Sequence, residues 1–201
     1  MADYSDNFDR ANNPDNLGAN WTIDSGELNI LSNLAVGVVG ASDICRGRYT
    51  GGAMASANYY SQATIDATPY GGYVAVRATA TNRGYVQHWD GTWSNHSLQA
   101  NSTEIDTWAD AGQGDPCVVK VEADGSTIKG YFDGIERTSA THSGITAAGA
   151  PAISTSWEND GTFNDWSAAD LAAGGGSIPV DNRGMNRGMN RGMNRGMSRI
   201  N

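Results

Sequence analysis

The segment Pro116–Gly134, PCVVKVEADGSTIKGYFDG, predicts the fold more directly than any other part of the chain. In its first part Cys117, Val119 and Val121 alternate with the residues between them, a period of two that is typical of a strand with one buried face. The pairs at 124–125 and 133–134 are both Asp-Gly, which favours tight reversals between antiparallel strands. The segment and the residues up to 138 therefore predict a three-stranded meander. Because such a sheet must bury its apolar face against a second layer, we expect a β-sandwich.

The composition agrees with many short strands joined by turns. The chain has 201 residues, 39% of them hydrophobic, which is enough for one core, and it contains 26 glycines. We find no helical period. Besides the meander, short strands are predicted at 7–10, 21–23, 28–31, 35–39, 46–50, 59–67, 73–80, 85–89, 92–98, 103–108, 151–157 and 162–171. In the strand at 73–80 the alternation is expected to direct Val74, Val76, Ala78 and Ala80 into the core.

The two cysteines and the N-terminal residues limit the class of protein. Cys45 and Cys117 are too few for a disulfide framework or a zinc site, and we interpret both as small buried hydrophobic residues, with a single bridge between them left open. The first residues have neither a cationic start nor an apolar segment, and no apolar run is long enough to span a bilayer. We therefore expect synthesis in a cytoplasm without an export signal, and no membrane association.

Three segments carry a resemblance to a known family. They are DNFDRANNPDNLGANWTIDSGELNI at 6–30, VVKVEADGSTIKGYFDGIERTSAT at 118–141 and FNDWSAADL at 163–171. Together they resemble the concanavalin A-like (laminin-G/legume-lectin type) jelly roll, in the form found in phage and bacterial structural proteins. The resemblance implies an all-β sandwich of two antiparallel sheets over residues 1–172. A Gly-rich linker at 173–181 and an extended C-terminal arm at 182–201 follow. These motifs carry fold far better than activity.

A partial catalytic motif lies at Glu104-Ile105-Asp106. Retaining glucanases of the same fold class carry E-I-D-x-E or E-I-D-x-x-E on one strand, and the alternation is expected to place Glu104 and Asp106 on the same face. The third position, however, holds Trp108 or Ala109. Without a second glutamate no group protonates the leaving oxygen, so we predict that the protein is not an enzyme and assign no catalytic residue.

The predicted hairpin around Asp90-Gly91 is the candidate glycan site. Aromatic rings beside amides and carboxylates are a common arrangement for holding sugars. The opposing interpretation is that at least one of the two tryptophans packs in the core. No D-x-D-x-D-G loop or clustered His, Cys and acidic residues indicate a metal, and we predict no cofactor. The candidate contacts are His88, Trp89, Asp90, Trp93 and Asn95.

The C-terminal arm repeats Asn-Arg-Gly-Met four times from residue 182. Residues 1–180 contain 21 acidic and 8 basic residues, whereas residues 181–201 contain five arginines and one aspartate. A basic arm on an acidic body favours electrostatic docking, although a disordered solubility tail is the opposing interpretation. Methionine adds adaptable apolar contact, so we expect a protein partner rather than nucleic acid. The predicted contacts are Arg183, Met185, Arg187, Met189, Arg191, Met193, Arg195, Met197, Arg199 and Ile200.

From these features the sequence-based hypothesis is a phage virion structural protein, specifically a capsid decoration or cement protein. Its arm would bind capsid subunits or other copies of itself in a homo-oligomer, and it would be located in the virion. Two alternatives stay open: a carbohydrate-binding adhesin domain of a tail or cell surface, and a glycoside hydrolase of the same fold.

Overall fold

The computed structural model describes residues 1–14, 16–38, 44–66, 71–89, 95–109, 114, 116–155 and 161–172, with the backbone only for Asn95. The predicted linker and arm lie outside these residues. The described part forms strands and turns and contains no helix. In particular, it includes no helix long and apolar enough to cross a membrane.

Eight strands form the first sheet, sheet A, in the order β13-β12-β11-β6-β15-β4-β3, with β1 also paired to β15. Their neighbours are antiparallel throughout, and β15 is long enough to pair with β4 through its first residues and with β1 through its last. The strands are β1 (Asp3–Asp6), β3 (Leu28–Leu31), β4 (Leu34–Gly37), β6 (Tyr59–Asp66), β11 (Cys117–Asp124), β12 (Thr127–Phe132), β13 (Ile135–Thr141) and β15 (Thr162–Asp170).

Seven strands form the second sheet, sheet B, in the order β10-β9-β8-β7-β14-β5-β2. They are β2 (Trp21–Ser25), β5 (Arg46–Tyr49), β7 (Gly72–Ala78), β8 (Tyr85–Trp89), β9 (Asn95–Ala100), β10 (Thr103–Ala109) and β14 (Ala150–Thr155). The two sheets enclose one continuous core, to which nearly every strand contributes alternate residues. The prediction of an all-β sandwich of two antiparallel sheets is therefore confirmed.

The meander that predicts the fold is present as β11, β12 and β13. Cys117, Val119, Val121 and Ala123 are fully buried, and the Asp-Gly turns join the strands where expected. Cys117 and Cys45 are both buried, as predicted, and no disulfide joins them. The prediction of a strand at 7–10 is wrong. The first strand ends at Asp6, because Phe8 has a φ of 55° and cannot continue a pleated strand.

The alternation in β7 also departs from the prediction. Val74 and Val76 lie in the core, but Ala78 belongs to a small cluster on the opposite face and Ala80 is exposed. The cause is Arg77, whose φ of 58° accompanies a register shift between β7 and β14. This bulge reverses the alternation after residue 76 and directs the Arg77 side chain inward.

A polar bridge joins the two sheets through the core. The Thr138 hydroxyl of β13 donates to Gln87 Oε1 of β8 at 2.6 Å, and both side chains are almost completely buried. Gly130 makes room for this pair, because a Cβ there would lie 1.7 Å from Gln87 Oε1. The bridge fixes the lateral position of one sheet on the other at this end of the sandwich.

Candidate functional site

An open cleft of about 610 Å³ lies where the end of β1 meets the middle of β15. Trp166 lies beneath the cleft and is fully buried, with its ring 4.8 Å from that of Trp21 and 4.9 Å from that of Tyr49. The aromatic cluster therefore supports the cleft from below, and the walls are hydrophilic. The lining residues are Ser5, Asp6, Asn7, Arg10, Asn20, Asp165, Trp166 and Ser167.

A β-bulge in β15 shapes this cleft. The pairing of β15 with β6 shifts register between Asn164 and Ser167, and Asp165 within the shift has a φ of 46°. The bulge buries Trp166 and leaves the Asp165 side chain exposed at the cleft. A non-glycine residue in the left-handed region of a central strand is conformationally costly, and such outliers concentrate at binding and catalytic sites.

Asp6 anchors the opposite wall. Its carboxylate accepts a bidentate pair from the Arg10 guanidinium at 2.9 and 2.8 Å, a bond from Trp21 Nε1 at 2.9 Å, and a bond from the Phe8 backbone N–H at 2.8 Å. Burial raises the pKa of Asp6, but the bonds from Arg10, Trp21 and Phe8 outweigh it and hold the pKa below its ordinary value. The ionised Asp6 carboxylate is therefore held in place as part of the cleft wall.

Other polar groups of the cleft are available to a ligand. Among the residues that the structure describes, the side chains of Ser5, Asn20 and Asp165 take no hydrogen-bond partner from the protein, and all three are exposed. A hydroxyl, an amide and a carboxylate together offer donors and acceptors of the kind that pairs with sugar hydroxyls. Arg10 is already occupied by Asp6 and by the Leu17 carbonyl at 2.6 Å.

The predicted glycan hairpin is only partly described, and its described residues do not form one surface. Trp89 is 1% exposed and its ring stacks on His96 at 4.3 Å within the core. A ring in this position cannot present a face to a sugar, so we remove Trp89 from the candidate contacts. His88 points to the other face of sheet B, 4.5 Å from the Tyr73 ring. Asp90, Trp93 and the side chain of Asn95 lie outside the described residues.

The placement of the partial catalytic motif also differs from the expectation. Pairing between β9 and β10 shifts register between Glu104 and Asp106, so Glu104 lies opposite Gln99 and Asp106 opposite Leu98. Leu98 points into the core, whereas Gln99 points away from it. The bulge therefore places the two carboxylates on opposite faces, and Asp106 accepts a bond from the Ser139 N–H of β13 at 2.7 Å.

Within the described ranges, no group of three or more His, Cys, Asp or Glu side chains is arranged to hold a metal ion. All ten predicted arm contacts, from Arg183 to Ile200, lie beyond the described residues. Docking of the arm therefore stays a prediction.

Comparison with known proteins places the sandwich among characterised folds. Neither a family model nor a curated protein matches the sequence. Solved structures do match. A carbohydrate binding module from Bacillus subtilis is 16% identical, with 75% of this chain and 96% of that chain covered and a TM-score of 0.62. The exoplasmic/lumenal domain of VIP36 in its Ca²⁺/Man-bound form is 10% identical, with 80% and 86% covered and a TM-score of 0.55. The Crh5 transglycosylase is 8% identical, with 86% and 85% covered and a TM-score of 0.58.

The protein has a concanavalin A-like fold. The predicted resemblance is thus confirmed for the architecture. Because these identities are far below 25%, the likeness extends to the fold of this concanavalin A-like domain and no further. The architecture is shared by a carbohydrate binding module, by a Ca²⁺/Man-bound lumenal domain and by a transglycosylase. Nothing in these comparisons points to a virion protein, and that hypothesis stays a prediction.

Sequence reasoning missed the cleft, although a signal for it was present. In β15 the buried apolar residues are Phe163, Trp166 and Ala168, so the first two are three residues apart instead of two. A step of three inside a period of two indicates an inserted residue, and the insertion in Asn164-Asp165 is the bulge. The other wall comes from β1, where Asp6 pairs with Trp166, 160 positions later in the chain, and this pairing has no local signal in the sequence.

Proposed function

We propose that this concanavalin A-like domain binds carbohydrate without cleaving it, and that the cleft between β1 and β15 is the binding site. The observation that carries the proposal is Asp165, held exposed at a strained bulge in the same cleft as the exposed side chains of Ser5 and Asn20. The shared fold with a carbohydrate binding module and with a mannose-bound lumenal domain supports the class of ligand.

The chemistry of the cleft favours a neutral saccharide. The Asp165 carboxylate is an acceptor for sugar hydroxyls, and the Asn20 amide and Ser5 hydroxyl can each donate and accept. Asp6 adds a second carboxylate, but Arg10 neutralises it. An acidic sugar would place its own carboxylate beside that of Asp165, where like charges repel, so hydroxyl-rich neutral units fit better.

Binding is tested by isothermal titration with ligands selected on a glycan array. Asp165→Asn preserves the backbone conformation, since Asn tolerates the left-handed region, and removes the charge. We expect it to weaken binding by about tenfold, which corresponds to about 1.4 kcal/mol. Asp133→Asn is the matched control, because Asp133 has a φ of 47° but lies in a turn away from the cleft. Equal affinity in both variants, or no glycan bound by the wild type, would contradict the proposal.

The absence of hydrolysis is tested separately with polysaccharides that bind. The opposite orientations of Glu104 and Asp106 support a binding role, because the retaining motif that they partly match needs its acidic side chains on one face of the strand. We expect no release of reducing ends. Turnover that disappears in Glu104→Gln would instead establish the hydrolase alternative.

A further inference from the structure

The outer face of sheet B, which points away from the core, is unusually well covered. All seven residues of β7 are buried, although only one face of the strand lines the core. Tyr73, Ala75, Ala78, Val86 and Ala152 form a second apolar cluster on this outer face. Part of the cover comes from the loop between β7 and β8, because the Ala80 carbonyl accepts a bond from Arg46 Nη2 of β5 at 2.8 Å.

Three arginines lie on this face around a single ion-paired carboxylate. Arg48 binds both oxygens of Asp24, at 2.5 and 2.7 Å, and Arg46 Nε lies 3.4 Å from the same carboxylate. Arg83 places its guanidinium 4.8 Å from the centre of the Tyr73 ring. Arg48 satisfies Asp24 in a bidentate pair and Arg46 shares the same carboxylate, so the three guanidiniums carry more positive charge than this one carboxylate balances.

Two of these guanidiniums have buried N–H groups without acceptors. Arg46 is 8% exposed, and its Nε makes no hydrogen bond. Arg83 Nη2 is likewise buried and makes none. Burial lowers the pKa of Arg46, the Asp24 carboxylate opposes this, and the positive charges of Arg48 and Arg83 lower the pKa further, so the pKa of Arg46 lies below its ordinary value. Buried charged donors in native proteins normally have hydrogen-bond acceptors, whereas Arg46 Nε keeps only the ion pair with Asp24 and Arg83 Nη2 has no acceptor among the described residues.

This concentration of positive charge on the outer face of sheet B is unusual, because residues 1–180 are acidic overall. Residues 1–180 contain only 8 basic residues against 21 acidic ones, and three of those eight lie on this face. Planar guanidiniums are the preferred protein partners of carboxylate, sulfate and phosphate groups, since their forked donors match two oxygens at once. Tyr73 holds the Arg83 plane in position from one side.

We propose that the outer face of sheet B is an oxyanion-binding site, in which Arg46 and Arg83 bind a sulfate, phosphate or carboxylate group beside Tyr73. The group is either a free ion or the acidic substituent of a saccharide, and the chemistry of recognition is the same. This site is separate from the cleft between β1 and β15, and it does not depend on glycan binding there.

The test is calorimetric titration of the full chain at constant ionic strength. Sodium sulfate, a uronate-containing disaccharide and a neutral disaccharide are each titrated into the wild type, Arg83→Gln and Arg137→Gln. Arg137 is the matched control, because its guanidinium also stacks on a ring, that of Trp108 at 4.5 Å, and its Nε is also a buried unpaired donor. We expect saturable binding of sulfate or the uronate, weakened about tenfold by Arg83→Gln and unchanged by Arg137→Gln.

The remaining outcomes separate the sources of the ligand and the two sites. A uronate disaccharide that binds at least about tenfold more tightly than sulfate identifies an acidic saccharide; equal affinities identify a free oxyanion. Arg83→Lys should retain part of the affinity, since it retains the charge but loses the fork. Asp165→Asn should leave oxyanion binding unchanged. Absence of saturable anion binding in the wild type, or identical affinities in the wild type and Arg83→Gln, would overturn the proposal.

Discussion

Single polar residues define the cleft, and they do so by different means. Asp6 is positioned by its hydrogen bonds to Arg10, Trp21 and the Phe8 N–H, whereas Asp165 is positioned by the backbone of a bulge. The first arrangement stabilises the folded state, because each bond favours the ionised carboxylate. The second costs stability and leaves a carboxylate exposed. Substitution of Asp6 should therefore destabilise the fold, whereas substitution of Asp165 should not.

The first prediction concerns Asp6. We expect Asp6→Asn to lower the free energy of unfolding at pH 7 by about 2 kcal/mol, because the amide cannot accept all the charge-assisted bonds. The pKa of Asp6 is lower in the folded state, so its stabilisation is present above the unfolded pKa of about 4 and is lost as the pH falls through the folded pKa. Urea unfolding at pH 7 and pH 3 should show the difference between wild type and variant shrinking at the lower pH.

The exposed Asp9 provides the control for this prediction. Asp9→Asn should change the unfolding free energy by less than about 0.5 kcal/mol at either pH, as is usual for surface substitutions. A difference between wild type and Asp6→Asn that stays constant from pH 7 to pH 3 would show that the carboxylate charge is not what stabilises this wall.

Among the strands, β7 carries the strongest departure from regular alternation. Its bulge brings Arg77 into the interior, 2% exposed, where the guanidinium donates to the carbonyls of Ala57 at 2.9 Å, Ile145 at 2.7 Å and Gly125 at 2.9 Å. Tyr59 contributes to the same end of the sandwich, since its hydroxyl accepts from the Arg77 N–H and donates to the Ala148 carbonyl. One arginine thus joins three loops at this end of the sandwich.

The second prediction follows from these bonds. Arg77→Met preserves much of the apolar stem but leaves three carbonyls without their donor, and we expect a loss of about 3 kcal/mol or more in unfolding free energy. Guanidinium chloride unfolding measures it, with Arg137→Met as the control for removing a ring-stacked arginine. A loss in Arg77→Met no larger than in Arg137→Met would contradict the role of Arg77 in joining the loops.

Regular strands are the elements that the sequence predicts well, and bulges are those that it predicts poorly. In β6 and β11 the alternation is unbroken, and the inward residues match the pattern. In β7, β10 and β15 one inserted residue reverses which face the following residues point to. Ala78 and Asp106 therefore lie on faces opposite to those expected, and the inserted residue in β15 leaves Asp165 exposed. The three exceptions concern Arg77, the partial catalytic motif at Glu104 and Asp106, and the candidate cleft. The candidate cleft therefore lies where the local periodicity of the strand fails.

At the scale of the whole molecule, the two candidate surfaces lie on different parts of one sandwich and differ in charge. The cleft at β1 and β15 offers carboxylates and amides, whereas the outer face of sheet B offers three guanidiniums around the one carboxylate of Asp24. A domain with both surfaces could hold a neutral unit and an acidic unit of one polymer, or two separate ligands. Each surface has its own variant, so Asp165→Asn reports on binding in the cleft and Arg83→Gln reports on binding at the outer face of sheet B.

The last prediction concerns the relation between the sandwich and the C-terminal arm. Residues 1–172 include the complete core of the described part, so deletion of residues 173–201 should change the melting temperature of the sandwich by no more than about 1 °C.

If the basic arm binds the acidic sandwich of a neighbouring copy or another protein, the same deletion should abolish assembly measured by light scattering. Salt should weaken assembly of the full chain, because exposed charges are screened over about 10 Å at 0.1 M. Replacing the five arm arginines by lysine tests charge alone, and by glutamine tests its loss. Assembly that survives both the deletion and the glutamine replacements would show that the arm is a solubility tail, and the sandwich itself would then contain the interface.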